Sequence, residues 1–196
     1  VTDLVIGADG RARCAWGAST PDYAVYHDTE WGRPLHGDDE LYERMTLEAF
    51  QSGLSWLTIL RKRPAFRVAF DDFRIEAVAG YGEAEVERLL ADAGIVRNRA
   101  KIEAAIANAR AALELPTGLS ELLWSFAPPA GRVRPTVFGE VPARTDTSTA
   151  MAKALKRHGF RFVGPTTAYA LMQATGMVDD HLAGCHVVTT ETAVMG

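Results

Sequence analysis

Apolar residues recur at helical spacing along almost the whole chain. Across residues 38–63, Leu41, Met45, Leu47, Phe50, Leu54, Leu57, Ile59 and Leu60 return mostly every three or four positions. That period predicts one long or two abutting buried helices. Residues 83–93 (Val86, Leu89, Leu90) and 99–113 (Ile102, Ile106, Ala109, Leu113) read as amphipathic helices, with Gly94 a break between them. A short apolar helix over 119–126 stops at Pro128-Pro129, and residues 130–144 lack a period, predicting a long irregular connection. The Thr/Ser cluster at 145–149 then caps a further helix over 150–158. Strand-like alternation occurs only over 132–138. The expected class is all-α: one domain over 11–188 in two interlocked helical lobes, with frayed tails at 1–10 and 189–196.

The last part of that pattern has chemistry in it. The helix ending at His158 runs into Gly159-Phe160-Arg161-Phe162-Val163-Gly164, and a second helix follows from Pro165 to Thr175. Gly164 permits close backbone approach, and Pro165 suits a first helical position, where its missing N–H costs nothing. The hairpin N–H groups and the positive end of the second helix make a seat for one phosphate. Lys153, Lys156, Arg157 and Arg161 surround it, with no acidic residue from Thr147 to Met177. This is the shape of a helix-hairpin-helix clamp on a DNA backbone. An ordinary αα-corner with a solvated basic face has the same pattern.

Composition narrows the field. With 47% hydrophobic and 23% charged residues, the chain is neither disordered nor fibrous, and its core needs no disulfide staples. No apolar run approaches the ~20 residues that span a bilayer, and the N-terminus lacks a basic-then-apolar leader, so no membrane partner and a cytoplasmic location are expected. A net charge of -4 argues against a nucleic-acid partner until its distribution is counted. Residues 93–161 hold eleven Lys/Arg against five Asp/Glu, a balance of +6, whereas the remainder holds ten against twenty. The expectation is a basic surface on an acidic body.

The two cysteines each have a histidine partner: twelve residues separate Cys14 from His27, and three separate His181 from Cys185. At i and i+4 the second pair would point one way from a helical turn. Two thiolates and two imidazoles make a closed tetrahedral zinc site, one that would join the N-terminal segment to the C-terminal one. The spacing is equally that of two small buried thiols and unrelated histidines, and His186 and His36 are alternative fourth ligands.

Trp16, Tyr23, Tyr26 and Trp31 crowd around His27, and Glu48 sits among apolar and small residues of a predicted helix. A carboxylate there needs a partner or a task. Aromatic faces with one carboxylate suit a flat cationic purine, stacked by the rings and hydrogen-bonded by the acid. Aromatic residues are also the ordinary stuff of cores.

Seven blocks, taken together, resemble one family: Arg13-Cys14-Ala15-Trp16, the run from Tyr26 to Gly32, Leu47 to Trp56, Ala93 to Arg99, Leu123 to Phe126, Lys156 to Gly164, and Asp180 to Cys185. The chain is similar, in order from about Arg13 to Cys185, to the bacterial DNA-3-methyladenine glycosylase I (constitutive Tag) family. The resemblance implies a helix-hairpin-helix glycosylase fold that flips 3-methyladenine out of alkylated double-stranded DNA and hydrolyses its N-glycosidic bond. It implies a bacterial, cytoplasmic monomer holding one structural Zn2+ on Cys14, His27, His181 and Cys185. By the same match Glu48 is the base-recognising and catalytic carboxylate, and Tyr26, Trp16, Trp56 and Trp31 line the base pocket. Leu54, in the Gly53-Leu54 turn, is the wedge at the gap left in the duplex. Gly159, Gly164, Thr166 and Arg161 hold the DNA backbone.

Two positions depart from the pattern. The wider helix-hairpin-helix superfamily carries a catalytic Asp in a Val-Asp-x-His context, and Val178-Asp179-Asp180-His181 places Asp179 there, where the Tag-like family often has Asn and works without it. Ala49 stands where the family often has Gly. Two other classes compete: a non-catalytic module that binds damaged DNA or a repair partner, and a zinc hydrolase. Glu48 disfavours the first, and a full four-ligand set, leaving zinc no open position, disfavours the second.

Overall fold

A computed structural model describes residues 3–129 and 131–189. Among them the chain forms one small hairpin and nine α-helices. Strand β1 (Leu4–Ile6) pairs antiparallel with β2 (Ala12–Cys14), Leu4 opposite Cys14. The helices follow as α1 (Pro21–Thr29), α2 (Asp38–Gln51), α3 (Trp56–Ala69), α4 (Ile75–Ala79), α5 (Glu83–Ala91), α6 (Arg99–Leu113), α7 (Gly118–Trp124), α8 (Asp146–Arg157) and α9 (Pro165–Ala174).

Local chemistry sets the boundaries. The stretch 38–63 is two helices, because Ser55 Oγ accepts from the Thr58 N–H (3.2 Å) and starts α3 afresh. Lys101 closes the end of α2 by donating from Nζ to the carbonyls of Phe50 (2.9 Å) and Ser52 (2.6 Å). Asn98 caps α6, which spans the residues the period predicts. Helix α8 begins before residue 150, at Asp146, because Thr145 and Ser148 cap each other's backbone reciprocally.

Two expectations are corrected. Residues 1–10 were expected to be a tail, but 4–6 form β1, held by the β2 ladder. Residues 132–138 form no strand: Pro135 removes a ladder donor, and the segment is pinned by isolated bonds instead. Phe138 N–H donates to Asp3 Oδ2 (3.0 Å) and Ala183 N–H to the Pro135 carbonyl (2.7 Å). Of the expected C-terminal tail, Thr189 is buried and donates to Asp179 Oδ2 (2.9 Å), while 190–196 lie outside the described residues.

Helix α2 is buried from Leu41 through Phe50. It is the central element, with α3, α6, α7 and α9 packed around it. Tyr42, Phe50, Phe66, Phe70 and Phe73 fill the core beside it. A second, small core joins the two ends of the chain: Cys14, Leu182, Cys185 and Val187, covered by Leu4, Trp16 and Phe138. No described helix is long and apolar enough to cross a membrane.

Candidate functional site: an aromatic pocket beside a cysteine–histidine cluster

The pocket is a cavity of ≈ 330 Å³ between the two cores. Trp16 enters from the loop after β2, Tyr23 and Tyr26 from α1, and Trp31 from just beyond it. Glu48 and Gln51 come from α2, Trp56 from the first turn of α3, and Ala170 and Gln173 from α9. Phe138 and Val141 close it from the irregular connection, and Asp180 from the segment after α9. The aromatic rings form a continuous wall. Trp16 meets Tyr23 edge-on at 5.6 Å and Trp31 at 5.0 Å, and Tyr26 leans on Trp56 at 5.4 Å. All four aromatic residues that the resemblance assigned to the pocket line it.

Glu48 is buried and makes no hydrogen bond with any described residue; burial pushes its carboxyl up to about 8, against the opposing charge of Arg44. The indole N–H of Trp56 is also buried without a partner. Across the cavity the buried Asp180 accepts from Tyr169 Oη (2.6 Å) and Gln173 Nε2 (2.9 Å) through one oxygen. Its other oxygen lies 3.1 Å from Arg132 but out of line for a hydrogen bond. The wall therefore presents polar atoms whose pairing the fold does not complete.

Behind Trp16 and Trp31 lies the cysteine–histidine cluster. One ligand-type atom each from Cys14, His27 and Cys185 lies within 4.8 Å of the others. His181 stands alongside, its ring 4.9 Å from that of His27 and 4.7 Å from Trp31. The other candidate histidines are engaged elsewhere: His36 stacks on Trp124, and His186 Nδ1 faces the Ala12 carbonyl at 2.9 Å. His181 and Cys185 do not share a helical turn as their spacing suggested. Gly184, at φ +91, turns the chain, and the Cys185 N–H bonds to the Leu182 carbonyl (2.9 Å).

The cluster has a repeated support. His27 Nδ1 lies 2.8 Å from Asp28 Oδ1, and Arg13 holds that carboxylate from behind (3.0 and 2.8 Å to Oδ2). His181 Nδ1 lies 2.8 Å from Asp179 Oδ1, and Arg134 Nε holds that carboxylate at 2.7 Å. Each imidazole thus has one nitrogen on an Arg-backed carboxylate; the other, Nε2, lies 3.6 Å from Cys185 Sγ in His27 and 3.4 Å from the His27 carbonyl oxygen in His181. A glycine seats each ring: a Cβ on Gly17 would lie 2.5 Å from the His27 ring, and one on Gly32 2.8 Å from His181. The two neighbouring sulfurs do not both take a charge: Cys185, 3.6 Å from His27 Nε2, is drawn below the usual thiol range, and Cys14 is raised above it. Burial works against Asp179, yet the bond from His181 and the charge of Arg134 bring its carboxyl down to about 2. Asp179 is committed to His181; the carboxylate on the pocket wall is its neighbour Asp180.

The basic surface is narrower than the count of cations suggested. Lys101 is internal, Arg99 is paired with Glu83, Glu87 and Glu103, Arg110 donates to the carbonyls of Ala79 and Tyr81, and Arg132 and Arg134 face Asp180 and Asp179. Lys153, Lys156, Arg157 and Arg161 are exposed and make no side-chain ion pair with a described residue. They cluster at the turn from α8 to α9. Gly159 there has φ +89, Phe162 is exposed at φ 55, and Gly164 begins α9 without a side-chain cap. Thr166, exposed, lies in the first turn of α9, and Ala170 and Gln173 of the same helix face the cavity, so one helix connects turn and pocket. Leu54 protrudes, 41% exposed, from the α2–α3 turn next to Gln51 on the cavity wall.

The sequence alone did not single out Phe138, Val141, Ala170 or Gln173. The first two lie in a stretch without periodicity, and the last two on a helix whose pocket-facing side carries no distinctive residue type.

Comparison with known proteins is consistent with this geometry. The sequence profile of the methyladenine glycosylase family matches residues 16–188. DNA-3-methyladenine glycosylase 1 of Escherichia coli (strain K12) is 45% identical over 177 residues, covering 88% of this chain and 95% of that protein. A crystal structure of 3-methyladenine DNA glycosylase I superposes with a TM-score of 0.85 at 43% identity, over 89% of this chain and 98% of the other. A structure of a variant of such an enzyme in complex with 3-methyladenine gives 0.84 at 35% identity, over 89% and 96%.

Proposed function

The chain belongs to the methyladenine glycosylase family, and we propose that it excises 3-methyladenine from alkylated double-stranded DNA by hydrolysing the N-glycosidic bond. The observation that carries this reading is Glu48: a buried carboxylate without a hydrogen-bond partner, on the wall of an aromatic cavity of ≈ 330 Å³. Methylation at N3 makes the adenine ring cationic. A carboxylate beside it accepts from the exocyclic amino group, indole and phenol faces stack on the ring, and the arriving cation in turn favours ionised Glu48.

The chemistry asks for no proton donor to the base. The electron pair of the C1′–N bond goes to the already positive ring, which leaves neutral, while water adds to C1′ and releases a proton. What the protein supplies is extrusion of the nucleotide, made easier by the lesion's weakened stacking, and a fitted receptor for the base. The α8–α9 turn fits the role of a helix-hairpin-helix clamp: the N–H groups of Gly164 and Thr166, at the start of α9, would face a phosphate, with Lys153, Lys156, Arg157 and Arg161 around it. Leu54 is placed to fill the gap left in the stack. These parts all lie on one chain, so the reading needs only a monomer.

We infer as well that Cys14, His27, His181 and Cys185 would hold one structural zinc ion. Two thiols and two carboxylate-supported imidazoles are the donor types and outer shell such an ion requires, with Cys14, His27 and Cys185 grouped together and His181 beside His27. With four protein ligands, zinc supplies a cross-link between the chain ends and no activated water.

The test is incubation of the purified protein with methylated DNA and chromatography of the released bases. Free 3-methyladenine, without 7-methylguanine, is the expected product. Absence of any released base would overturn the reading.

A further inference from the structure

Arg44 is buried on α2, four residues and hence one helical turn before Glu48. It pairs with Glu30, and its guanidinium carbon lies 5.7 Å from the centre of the Tyr26 ring, itself part of the cavity wall. Its remaining terminal nitrogen, Nη1, is buried without a hydrogen-bond partner. A buried arginine with an unspent donor is costly unless its charge has a use.

The surrounding charges show what that use is. Arg63 bridges Glu43 (2.6 Å) and Glu30 (2.7 Å), and Arg67 adds to Glu43 (2.8 Å). Three arginines from α2 and α3 thus stand against Glu30 and Glu43, one positive charge in excess. Glu48, when ionised, is the third acid that balances them. Facing Glu48 from the other elements are the phenols of Tyr23 and Tyr26 on α1, the indole of Trp56 on α3, and Asp180 beyond the cavity with Arg132 behind it. Arg44 is the charged group that acts on Glu48 directly, opposing the effect of burial.

We propose that Arg44 is a positioning residue of the base pocket, its guanidinium reducing the cost of charging Glu48 inside an apolar wall so that the carboxylate ionises when a cationic base arrives. The proposal rests on the reading of Glu48 as the base-recognising carboxylate. A residue that merely anchored Glu30 would leave the titration of Glu48 where it is.

The test follows the Glu48 side-chain carboxyl by carbon NMR across pH in the wild-type chain and in Arg44→Met, Arg44→Lys and Glu30→Gln, alongside excision rates at each pH. In Arg44→Met the Glu48 midpoint rises by about one pH unit or more, and excision at pH 7 falls about tenfold and recovers at higher pH. Arg44→Lys keeps the charge and restores the midpoint. Glu30→Gln frees the arginine from its competitor and lowers the midpoint. A midpoint unmoved by Arg44→Met, or moved the same way by Glu30→Gln, would overturn the proposal. If Arg44→Met does not fold, Glu30→Gln decides: a lowered midpoint supports the proposal and an unmoved one overturns it. If the midpoints shift as expected while excision ignores them, Arg44 acts as proposed and the reading of Glu48 as the base's partner fails.

Discussion

The aromatic pocket and the cysteine–histidine cluster share a wall, since Trp16 touches His27 and Trp31 touches His181, yet they treat polar groups in opposite ways. In the cluster each imidazole rests on a carboxylate and each carboxylate on an arginine. In the pocket Glu48, Trp56 Nε1 and one oxygen of Asp180 are buried or nearly so with their bonding incomplete. An unsatisfied buried polar group costs about 1–3 kcal/mol. Arg134 Nη2 aside, which lies 2.7 Å from Asp179 but out of line for a hydrogen bond, the supports of the cluster are paired, whereas the pocket keeps its pairing capacity for a ligand.

That contrast can be broken by mutation, and the cluster should show the largest effect on stability. Cys185→Ser removes a thiol from the small core that ties the chain ends together, and is expected to cost about 3 kcal/mol or more in denaturant unfolding. Turnover per folded molecule should change little. A stable Cys185→Ser protein without activity would make the cluster part of the chemistry rather than the frame.

Glu48→Gln should do the reverse. Because burial raises the Glu48 carboxyl, folding favours its neutral form: the stability it contributes is present below about pH 4.5 and lost as pH rises through about 8. The Gln variant, with no charge to bury, should therefore be more stable than wild type by about 1–3 kcal/mol at pH 9, and no more stable at pH 4. Equal stability at both pH values would show that Glu48 is not strained by its site.

The smallest effect is expected at Asp179. Asparagine can still accept from the His181 ring, so Asp179→Asn should hold excision within about tenfold, a barrier change of about 1.4 kcal/mol or less. A thousandfold loss would place Asp179 in the reaction and not behind a histidine.

The sequence disclosed much of this frame. Helix α6 was legible end to end because its period and its Asn98 cap agree. Helix α1 was not: its inward residues, Tyr26 and His27, are adjacent and leave no period, although Thr20-Pro21 is a good start. Spacing alone offered Cys14 with His27 and His181 with Cys185 as candidate pairs and left His36 and His186 open, but gave no sign of the Arg13–Asp28 and Arg134–Asp179 supports, since Arg134 lies in a stretch without pattern. Glu48 was visible because a carboxylate among apolar neighbours is rare. Its counterweight Arg44 was not, because on paper it is one more charge in Asp38–Gln51, whose neighbours Asp39, Glu40 and Glu43 hide how deeply it is buried.

The central claim is that Glu48 is the partner of the base, and binding of free 3-methyladenine tests it most directly. Calorimetric titration of wild-type and Glu48→Gln proteins at pH 9, where the wild-type carboxylate is charged, should show at least about tenfold weaker binding to the variant, or 1.4 kcal/mol. Equal affinity would contradict the account.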